Sequence, residues 1–595
     1  MRTWPSLALG ALVAICPTRA FAAEYALSMF HFNVQYVAGG LVGFPAFAGE
    51  QRPEQTEDAI IEESLLPVLE LYAAHPTWGV TIEMQGYLLD VMAARHPDGL
   101  ALLRDMAMSG QAEVVSFHYS DQLFIGYPEV DWARSQALTA ATFAAHDVPL
   151  GKSVFCQEGQ SGTAMADHMA ALGYETMIWP KNLWIEQHGD FDAEPLYRFG
   201  DVNLVVGAKG ASYDDGVTTI ETSWTFFDDG ELLATGDWNP YFPELFFADP
   251  EVLDAYEANL MDREANGALI VTVADYVAAI EDDVTPADPP PLLDGTWQPG
   301  STNGVAKWMG DRSLWAVSGP PHDRDNHVRT LGYVAHRELT AAETAAAVAG
   351  LDARDQLDAA WRLLALGQVT DATGINPYRG EVEYGITHLA EATRIARDVI
   401  EDAKAAQGWD TVTISPSDGT MTEGDTLPLA GTPVDTAPVT VAASADDPAR
   451  TVATTWEELA PDHHRVSIAF GAGETDMRNI SATFSGVDSD EIVTTRALAD
   501  DATATFARDD FVFGSWQLAL PLGLVSLGPD LFLIKDTGHV HLAAGISTSS
   551  PDVTFRDETQ AKDEGVTWVF HVVAGTADEA LAIAKAVNSQ RTVVR

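Results

Sequence analysis

The chain has 595 residues, of which 88 are acidic and 33 are basic, and its formal net charge at pH 7 is -55. A single hydrophobic core stops growing near ~250–300 residues, so this length predicts two or three domains. The charge argues against nucleic acid and anionic membrane surfaces as partners, because both repel a strongly acidic protein. We therefore expect a neutral ligand, with no nucleic-acid and no membrane partner.

The first residues have the pattern of a secretory signal peptide. An apolar run over residues 7–15 precedes small residues and an Ala20-Phe21-Ala22 exit site. The run is shorter than the ~20 apolar residues that a membrane-spanning helix needs. We expect residues 1–23 to be removed on export, which leaves a periplasmic or extracellular protein. Cys156 is then the only cysteine, so no intramolecular disulfide can form.

From residue 24 to residue 285, apolar runs typical of strands alternate with helical patterns. This alternation predicts an α/β fold with a parallel sheet, and its length favours a barrel over an open sheet. In barrels the chemistry lies at the carboxyl ends of the strands. Strands are predicted at 25–30, 78–83, 113–117, 152–156, 176–179, 202–206 and 218–222, with helices at 56–73, 86–109, 131–145 and 162–172.

The second half of the chain changes composition twice. An acidic, proline-rich stretch at 281–291 cannot continue a helix or a central strand, and it marks a first boundary. Alanine-rich segments with helical spacing then predict a helical subdomain over 286–408. After Trp409, short alternating runs rich in Thr and Val predict an antiparallel β-domain over 409–595, with a helix near 577–587.

Three segments place carboxylates at or near predicted strands. Glu113 follows Gly110 by three residues at the start of a strand, and Glu158 follows the apolar strand that ends near Cys156. The stretch 224–232 holds three further acids, Asp228, Asp229 and Glu231. Glycosidic bonds break through an oxocarbenium-like transition state that needs one carboxylate and one carboxylic acid, so pairs of such residues are candidates for that chemistry.

Together these segments resemble glycoside hydrolase family 57, over about residues 24–404. The stretch 110–113 is similar to the family's G-x-x-E strand, and 155–158 to its W-x-P-E motif, with Phe155 and Gln157 in place of Trp and Pro. The stretch 229–231 is similar to its D-x-E segment, although the Gly-His that follows in the family is replaced by Leu233 and Ala234. Weaker similarities lie at 272–277, 295–297 and 363–371. The resemblance implies an incomplete (β/α)7-type barrel, followed by the helical subdomain and the C-terminal β-domain.

The resemblance also implies roles for individual residues. Glu158 is the expected nucleophile and Asp229 the expected general acid and base, with Asp228 as an open alternative. No cofactor and no metal are expected, because a mannosidase-type cation site would have His-x-Asp at the first strand and this chain has Asn33 there. The histidines are equally interpretable as hydrogen-bonded core residues, and each tryptophan taken alone is more often a core residue. The expected substrate-binding residues are His31, Glu113, His118, Trp224, Glu231, Trp238, Trp297 and Asp371.

The expected function is that of a retaining glycoside hydrolase or transglycosylase acting on α-linked oligo- or polysaccharides. Two alternatives stay open. The departures at Phe155, Gln157 and Leu233 suit a carbohydrate-binding protein on a degenerate glycosidase scaffold. A metal-dependent polysaccharide deacetylase on a related barrel is the other.

Overall fold

The computed structural model describes most of the chain outside the first 20 residues. The described residues are 21–35, 38–40, 52–155, 160, 162, 164–181, 185, 190–230, 250–289, 325–370, 379–424, 431–474, 479–508, 515–518, 522–536, 544–547, 550–557, 565–589 and 592–594.

The first part of the molecule alternates strands and helices, which confirms the predicted α/β class. The strands are β1 (Phe21–Phe32), β2 (Val80–Met84), β3 (Ala112–Val115), β4 (Ser153–Phe155), β5 (Thr176–Pro180), β6 (Tyr197–Phe199), β7 (Val202–Gly207), β8 (Ala211–Asp214), β9 (Thr218–Asp229) and β10 (Leu269–Val271). The helices are α1 (Pro53–Ile60), continued by a π-helical turn at Ile61–Leu65, α2 (Leu66–Ala74), α3 (Gly86–Arg95), α4 (Pro97–Ser109), α5 (Glu129–Ala145), α6 (Met165–Leu172), α7 (Pro250–Ala265) and α8 (Val273–Ile280).

Several predicted elements in this part have different bounds in the structure. The helix predicted at 86–109 is divided at His96, because Pro97 has no amide hydrogen and starts a new helix as its first residue. The strand predicted at 218–222 runs on to Asp229 as β9. The extension matters for the site, because it carries the candidate acid to the end of a strand.

These strands form two sheets. In the first the order is β3-β2-β1-β9-β8, with β10 also pairing with β1, and in the second the order is β4-β5-β7-β6. The β1–β2, β2–β3, β1–β9, β4–β5 and β5–β7 pairs are all parallel, as strand–helix alternation requires. The carboxyl ends of β1, β2, β3 and β9 therefore meet at one edge.

The first sheet has two buried faces, and β1 shows them clearly. Tyr25, Leu27 and Met29 pack in one apolar cluster with Ile178 and Val205 of the second sheet. The alternate residues of β1, such as Ala26 and Phe30, pack in another cluster with the helices α1 to α4. We call these the inner face and the outer face of the sheet.

Three helices follow, α9 (Asp325–Ala349), α10 (Arg354–Gly367) and α11 (Arg379–Gln407). Alanines along α9 and α11 allow the helices to pack closely around Leu357, Trp361 and Leu389. The helical spacing at 341–366 spans two helices, because Gly350 adopts a left-handed φ of 69° and ends α9.

The last part of the chain is antiparallel, as its alternating pattern predicts. The strands are β11 (Val412–Ser415), β12 (Thr420–Glu423), β13 (Thr432–Pro433), β14 (Val441–Ala445), β15 (Val452–Ala460), β16 (His463–Phe470), β17 (Ile480–Phe484), β18 (Glu491–Thr495), β19 (Thr503–Ala507), β20 (Ser515–Leu518), β21 (Leu524–Gly528), β22 (Leu531–Lys535), β23 (Ala544–Ser547), β24 (Val553–Asp557), β25 (Val566–Ala574) and β26 (Thr592–Val594). They form an eight-stranded sheet with the order β13-β15-β16-β25-β22-β21-β18-β19, a second sheet with the order β14-β17-β24-β23-β20 and a third with the order β12-β11-β26. Helix α12 (Ala577–Asn588) packs on the eight-stranded sheet. Among the helices of the described residues, none is long and apolar enough to cross a bilayer.

The packing of the three helices gives a direct test of this part of the fold. Leu389 is fully buried among the helices, so Leu389→Ala is expected to cost about 2–5 kcal/mol of stability by leaving a cavity. Hydrogen exchange measured by mass spectrometry should then rise across α9, α10 and α11. The control is Leu172→Ala, whose parent side chain is 51% exposed and whose loss should cost no more than about 0.5 kcal/mol. Equal exchange in both variants would contradict the packing.

Candidate active site

Five titratable side chains meet at the carboxyl ends of the first sheet. In the parallel ladders His31 of β1 is paired with Glu83 of β2 on one side and with Asp229 of β9 on the other. Paired residues on neighbouring strands point to the same face, so all three point to the inner face. The loop after β3 adds two more side chains, His118 and Asp121. We call these five residues the acid–histidine cluster.

His31 is held between two carboxylates. Its Nδ1 contacts Glu83 Oε2, and its Nε2 lies 3.4 Å from Asp121 Oδ2. Burial by itself would lower the pKa of the imidazole, but the two carboxylates outweigh it and hold the pKa of His31 well above its usual value. His31 is therefore an imidazolium at neutral pH.

His118 is the opposite case. Its Nε2 lies 3.3 Å from Asp121 Oδ1 and 3.8 Å from Glu83 Oε1. Burial lowers the pKa of His118 to about 4, and the charge on His31 adds to the effect, with Asp121 opposing both. His118 is therefore neutral at neutral pH, so the positive charge of the cluster lies on one ring.

Asp229 is the member of the cluster that solvent reaches. Its side chain is only partly buried, whereas the other four residues are at most 4% exposed. Burial raises the pKa of Asp229 to about 6; the His31 charge opposes this shift, and the charges of Asp228, Asp121 and Glu83 reinforce it. A carboxyl group that keeps its proton up to about pH 6 is suited to general acid catalysis.

The structure separates the two adjacent aspartates. Asp228 is paired with Phe30, whose ring lies on the outer face, and the Asp228 side chain is exposed. Its Oδ1 accepts a hydrogen bond from the Asp229 amide at 3.0 Å. Of the two candidates for the acid, Asp229 is the one that lies in the cluster.

The helical part of the chain holds the loop that carries Asp121. The Asp121 carbonyl accepts a hydrogen bond from the Thr370 amide at 2.8 Å, and the Gln368 carbonyl accepts one from the Leu123 amide at 3.1 Å. The side chains of Gln122 and Gln368 are also bonded, at 2.9 Å. The segment just after α10 is therefore part of the support of the cluster.

The donor set does not fit a His-x-Asp cation site. Both ring nitrogens of His31 already face carboxylates, and the Asn33 amide oxygen accepts hydrogen bonds from the Gln35 amide at 2.8 Å and from the Gln85 side chain. Within the residues that the structure describes, no group of three or more His, Cys, Asp or Glu side chains has the geometry to hold a metal ion. We derive no step through a metal.

Glu113 lies away from the cluster. It is paired with Thr81, two residues before Glu83 on β2, and so lies toward the start of the strands. Its carboxylate accepts hydrogen bonds from Thr81 Oγ1 at 3.2 Å and from the amides of Ser153 at 3.1 Å and Ala274 at 3.0 Å. These contacts join three strands and the start of α8, so Glu113 has a structural part in the fold. Substrate binding by Glu113 stays a prediction that this placement does not favour.

The other predicted site residues divide into two groups. His31 and His118 lie beneath Asp229 and are paired with carboxylates, and Trp224 packs on the inner face at 5.0 Å from the Phe227 ring centroid. Direct contact of these three with substrate stays a prediction. The remaining predicted residues lie outside the described residues: Glu158, Glu231, Trp238, Trp297 and Asp371.

Sequence reasoning missed Glu83 and Asp121. Glu83 is an acid inside the mostly apolar stretch 80–84, where a charged residue is unusual, and the structure shows that it is fully buried. Asp121 follows His118 by three residues just beyond the next strand. Both signals were present in the sequence, but only the parallel register shows that the two acids face the same histidine.

Comparison with solved structures identifies the fold. An α-mannosidase from Enterococcus faecalis V583 matches with a TM-score of 0.58 and 9% identity over 96% of this chain and 90% of that one. A glycosyl hydrolase family 38 protein from Enterococcus faecalis matches with a TM-score of 0.51 and 9% identity over 96% of this chain and 89% of that one. The chain therefore shares the overall fold of these two proteins.

Proteins named as GH57 branching enzymes also occur among the matching structures. A GH57-type branching enzyme from Pyrococcus horikoshii covers 64% of this chain and 88% of its own, with 11% identity and a TM-score of 0.41. A match at that score supports no correspondence of residues. No family model matches the chain, and no curated protein does.

The raised pKa of Asp229 predicts a pH-dependent loss of stability. Between about pH 4 and pH 6 the unfolded chain releases this proton while the folded chain keeps it, so the parent protein becomes less stable as the pH rises. Asp229→Asn removes this loss, and its stability relative to the parent should increase by roughly 2–3 kcal/mol across that window and then level off. Thermal midpoints measured from pH 4 to pH 7 test this.

The matched control is Asp228→Asn, which changes the neighbouring, exposed side chain. Asp228 raises the pKa of Asp229 through its charge but is not itself the buried acid, so a much smaller increase in relative stability is expected across the same pH window. A constant difference between Asp229→Asn and the parent at all pH values would contradict the assignment.

Proposed function

We propose that the protein is a retaining glycoside hydrolase or transglycosylase acting on α-linked glycans, with Asp229 as general acid and base and Glu158 as nucleophile. One observation carries the proposal: a carboxyl with a pKa raised to about 6 stands at the carboxyl ends of parallel strands, where the fold builds its active sites. Burial raises that pKa, and the charges of Asp228, Asp121 and Glu83 reinforce the shift against the opposing charge of His31.

The proposed reaction has two steps. In the first, the Glu158 carboxylate attacks the anomeric carbon while Asp229 donates its proton to the departing glycosidic oxygen, and a covalent glycosyl–enzyme ester forms. In the second, Asp229 takes a proton from water or from a sugar hydroxyl, whose oxygen displaces Glu158. Burial and the charges of His31, Glu83 and Asp121 together set the pKa of Asp229 at about 6, so the group can both donate and accept a proton.

The assignment of Glu158 rests on the sequence motif and on the neighbourhood of the strand that precedes it. Phe155, the last residue of β4, has its ring centroid 6.1 Å from the His31 ring and 5.4 Å from the Phe227 ring. The chain therefore leaves β4 beside the acid–histidine cluster, three residues before Glu158. The fold that the chain shares with an α-mannosidase supports the same pairing of two acids.

We also propose that the parallel strands form an incomplete (β/α)7 barrel. The order β9-β1-β2-β3 continues into β4-β5-β7 if β3 and β4 are neighbours. Two hydrogen bonds support this: the Gly151 amide donates to the Val114 carbonyl at 2.7 Å, and the Ser153 amide donates to Glu113 at 3.1 Å. Such a barrel would surround the inner face and leave its carboxyl-end rim open to a glycan.

The substrate class follows from charge and chemistry. A net charge of -55 repels polyanions, which leaves neutral oligo- and polysaccharides as the proposed substrates. One solved structure of similar fold is named as an α-mannosidase, so aryl α-mannosides belong in the screen beside α-glucans and aryl α-glucosides and α-galactosides.

The two acids predict different losses of activity. Glu158→Gln and Asp229→Asn should each reduce kcat/KM on glycans by at least ~10²-fold, because each removes a group that acts in the transition state. Asp229→Asn should lose less on aryl glycosides with acidic leaving groups, which depart without proton donation. The assay compares both substrate types, with Asp228→Asn as the control. Unchanged turnover in both variants would overturn the assignment, and sugar binding without turnover in the parent would favour the carbohydrate-binding alternative.

Chelation separates the glycosidase from the deacetylase alternative. Because both His31 nitrogens face carboxylates, we expect glycan cleavage to be unaffected by prolonged dialysis against EDTA or 1,10-phenanthroline. The measurement is the initial rate before and after dialysis, with acetate release from acetylated glycans assayed in parallel. Acetate release that disappears with the chelator and returns with a divalent metal would favour the deacetylase.

A further inference from the structure

A cavity lies where the three parts of the chain meet, and none of the residues that line it belongs to the acid–histidine cluster. Its walls come from the start of α5, one face of α9, the turn between β18 and β19, and the end of α12. Its volume is about 420 Å³. Pockets for small molecules commonly measure ~300–1,000 Å³, so a small ligand fits. We call this space the junction cavity.

Several polar side chains in the walls are already used by the fold. Thr340 and Thr344 donate their hydroxyl hydrogens to carbonyls of their own helix, at 3.1 and 2.9 Å. Glu343 Oε1 accepts a hydrogen bond from Arg134 Nη2 at 2.6 Å. Asn588 Nδ2 donates to backbone carbonyls, the shortest of these bonds being 2.7 Å. These groups hold the walls together and are not the ones that a ligand would need.

His336 is fixed on one side and unpaired on the other. Its Nδ1 lies 2.5 Å from Asp131 Oδ1, and Asp131 Oδ2 accepts a hydrogen bond from Gln368 Nε2 at 2.7 Å. A carboxylate only accepts, so Nδ1 carries a proton and the orientation of the ring is set. Nε2 has no hydrogen-bond partner among the described residues. His336 is 7% exposed and lines the junction cavity, so a buried ring presents an unused nitrogen there.

Lys585 supplies a positive charge to the same cavity. It lies in the last turn of α12, and its side chain is half-buried. Acidic residues outnumber basic ones by 88 to 33 in this chain, so carboxylate partners are plentiful. Even so, the ammonium of Lys585 has no ion pair and no hydrogen bond within the part of the chain that the structure describes. Its three donors are available to a ligand.

Two further residues of the walls have polar atoms without a partner. Asp500 Oδ2 accepts from the Glu129 amide at 3.0 Å, and the Asp500 amide donates to Glu129 Oε2 at 3.1 Å. Asp500 Oδ1 and Ser589 Oγ are buried and have no hydrogen-bond partner among the described residues. Burial raises the pKa of Asp500 to about 7, so near neutral pH this carboxyl can donate as well as accept. The walls therefore hold hydrogen-bonding capacity that the protein does not use.

These groups select the class of ligand. Lys585 and Asp500 have opposite charges, and a chain with a net charge of -55 disfavours an anion. No Phe, Tyr or Trp of the described residues lines the cavity, so a planar aromatic ligand finds no ring to stack on. Pro128, Val130 and Leu522 add apolar wall. A small neutral molecule with several hydroxyls matches this lining, because each hydroxyl both donates and accepts.

We infer that the junction cavity is a second binding site, which takes a single sugar ring or a similarly small neutral polyol. His336 Nε2 and the Lys585 ammonium are the groups expected to contact it, with Asp500 and Ser589 beside them. The inference does not rest on the proposed function, because none of these residues belongs to the acid–histidine cluster. Binding can be measured without any turnover.

The test uses a readout that is local to the cavity. Hydrogen exchange is measured by mass spectrometry on the full chain with glucose, mannose, galactose or glycerol, and separately with phosphate or acetate. We expect at least one neutral sugar or glycerol to slow exchange in the segments 336–344 and 585–589. The same ligand should show saturable binding by isothermal titration calorimetry.

Two variants remove the proposed contacts with little change of shape. Lys585→Met keeps the length of the side chain and loses the charge. In His336→Asn the side-chain amide can replace Nδ1 as the donor to Asp131, while Nε2 is lost. Each variant should weaken binding by roughly 10- to 100-fold, as loss of a hydrogen bond to a charged or buried group does. If His336→Asn does not fold, Lys585→Met decides by the same titration.

Two matched controls separate a binding role from a general effect on the fold. Lys404 also lies in the last turn of its helix, but it pairs with Glu401 at 2.7 Å and does not line the cavity. Lys404→Met therefore removes the same charge from an equivalent position. Thr344→Val changes the cavity wall at a hydroxyl that the helix already uses. Both controls should bind the ligand as the parent does.

Three results would overturn the inference. The first is exchange in both segments that no neutral sugar or glycerol changes at high millimolar concentration. The second is protection there by phosphate or acetate alone, which would make the cavity an anion site. The third is binding that Asp229→Asn abolishes and both cavity variants leave intact, which would assign it to the active site. A failure of the proposed function looks different, because no glycan is then cleaved while the junction cavity still binds its ligand.

Discussion

The parallel pairing of β1 with β9 is the constraint on which the rest of the site depends. It brings His31 and Asp229 to the same face of the sheet, and the single bulge at Thr225 makes that face the inner one for Asp229. Glu83 and Asp121, which hold His31, also act on Asp229 directly through their charges. The chemistry proposed for the protein is therefore a consequence of strand register.

Burying the charges of the acid–histidine cluster opposes folding, and the same burial helps to raise the pKa of Asp229. Burying Glu83, Asp121 and His31 together at the strand ends requires each charge to be compensated by another. The compensation is incomplete at Asp229, where burial and the surplus of negative charge leave a carboxyl that holds its proton to about pH 6. Groups with such shifted pKa values gather at functional sites, because catalysis needs acids and bases whose pKa values lie near the working pH.

Parts of the chain that are distant in sequence support the strands and the loop that carry the acid–histidine cluster. The loop with Asp121 is bonded to the segment after α10, some 245 residues later, so the helical part fixes the position of a carboxylate in the first sheet. On the outer face, hydroxyl contacts of Tyr256 in α7 with Ser28, Thr225 and Tyr72 connect β1 and β9 to α2 and α7. Rigid support of this kind is what a reaction sensitive to alignment requires.

The sequence alone determined the class of the fold. Alternating strand and helix patterns in the first half and antiparallel patterns in the last part appear as expected, because the periodicity of apolar residues directly reflects which faces are buried. Asp229 and Asp228 were both identified as candidates because the acids at 228–231 resemble a known motif. The sequence also showed that Asn33 stands where a metal-binding acid would be.

Only the tertiary structure decided between the two aspartates and revealed Glu83 and Asp121 as partners of His31. A bulge leaves no recognisable pattern in the sequence, and the Phe-Phe-Asp-Asp run presents the same residue types to each face in either register. The choice is made by the pairing of β1 with β9, whose residues Ser28 and Thr225 lie 197 positions apart along the chain. Pairing across such distances depends on packing that local pattern does not encode.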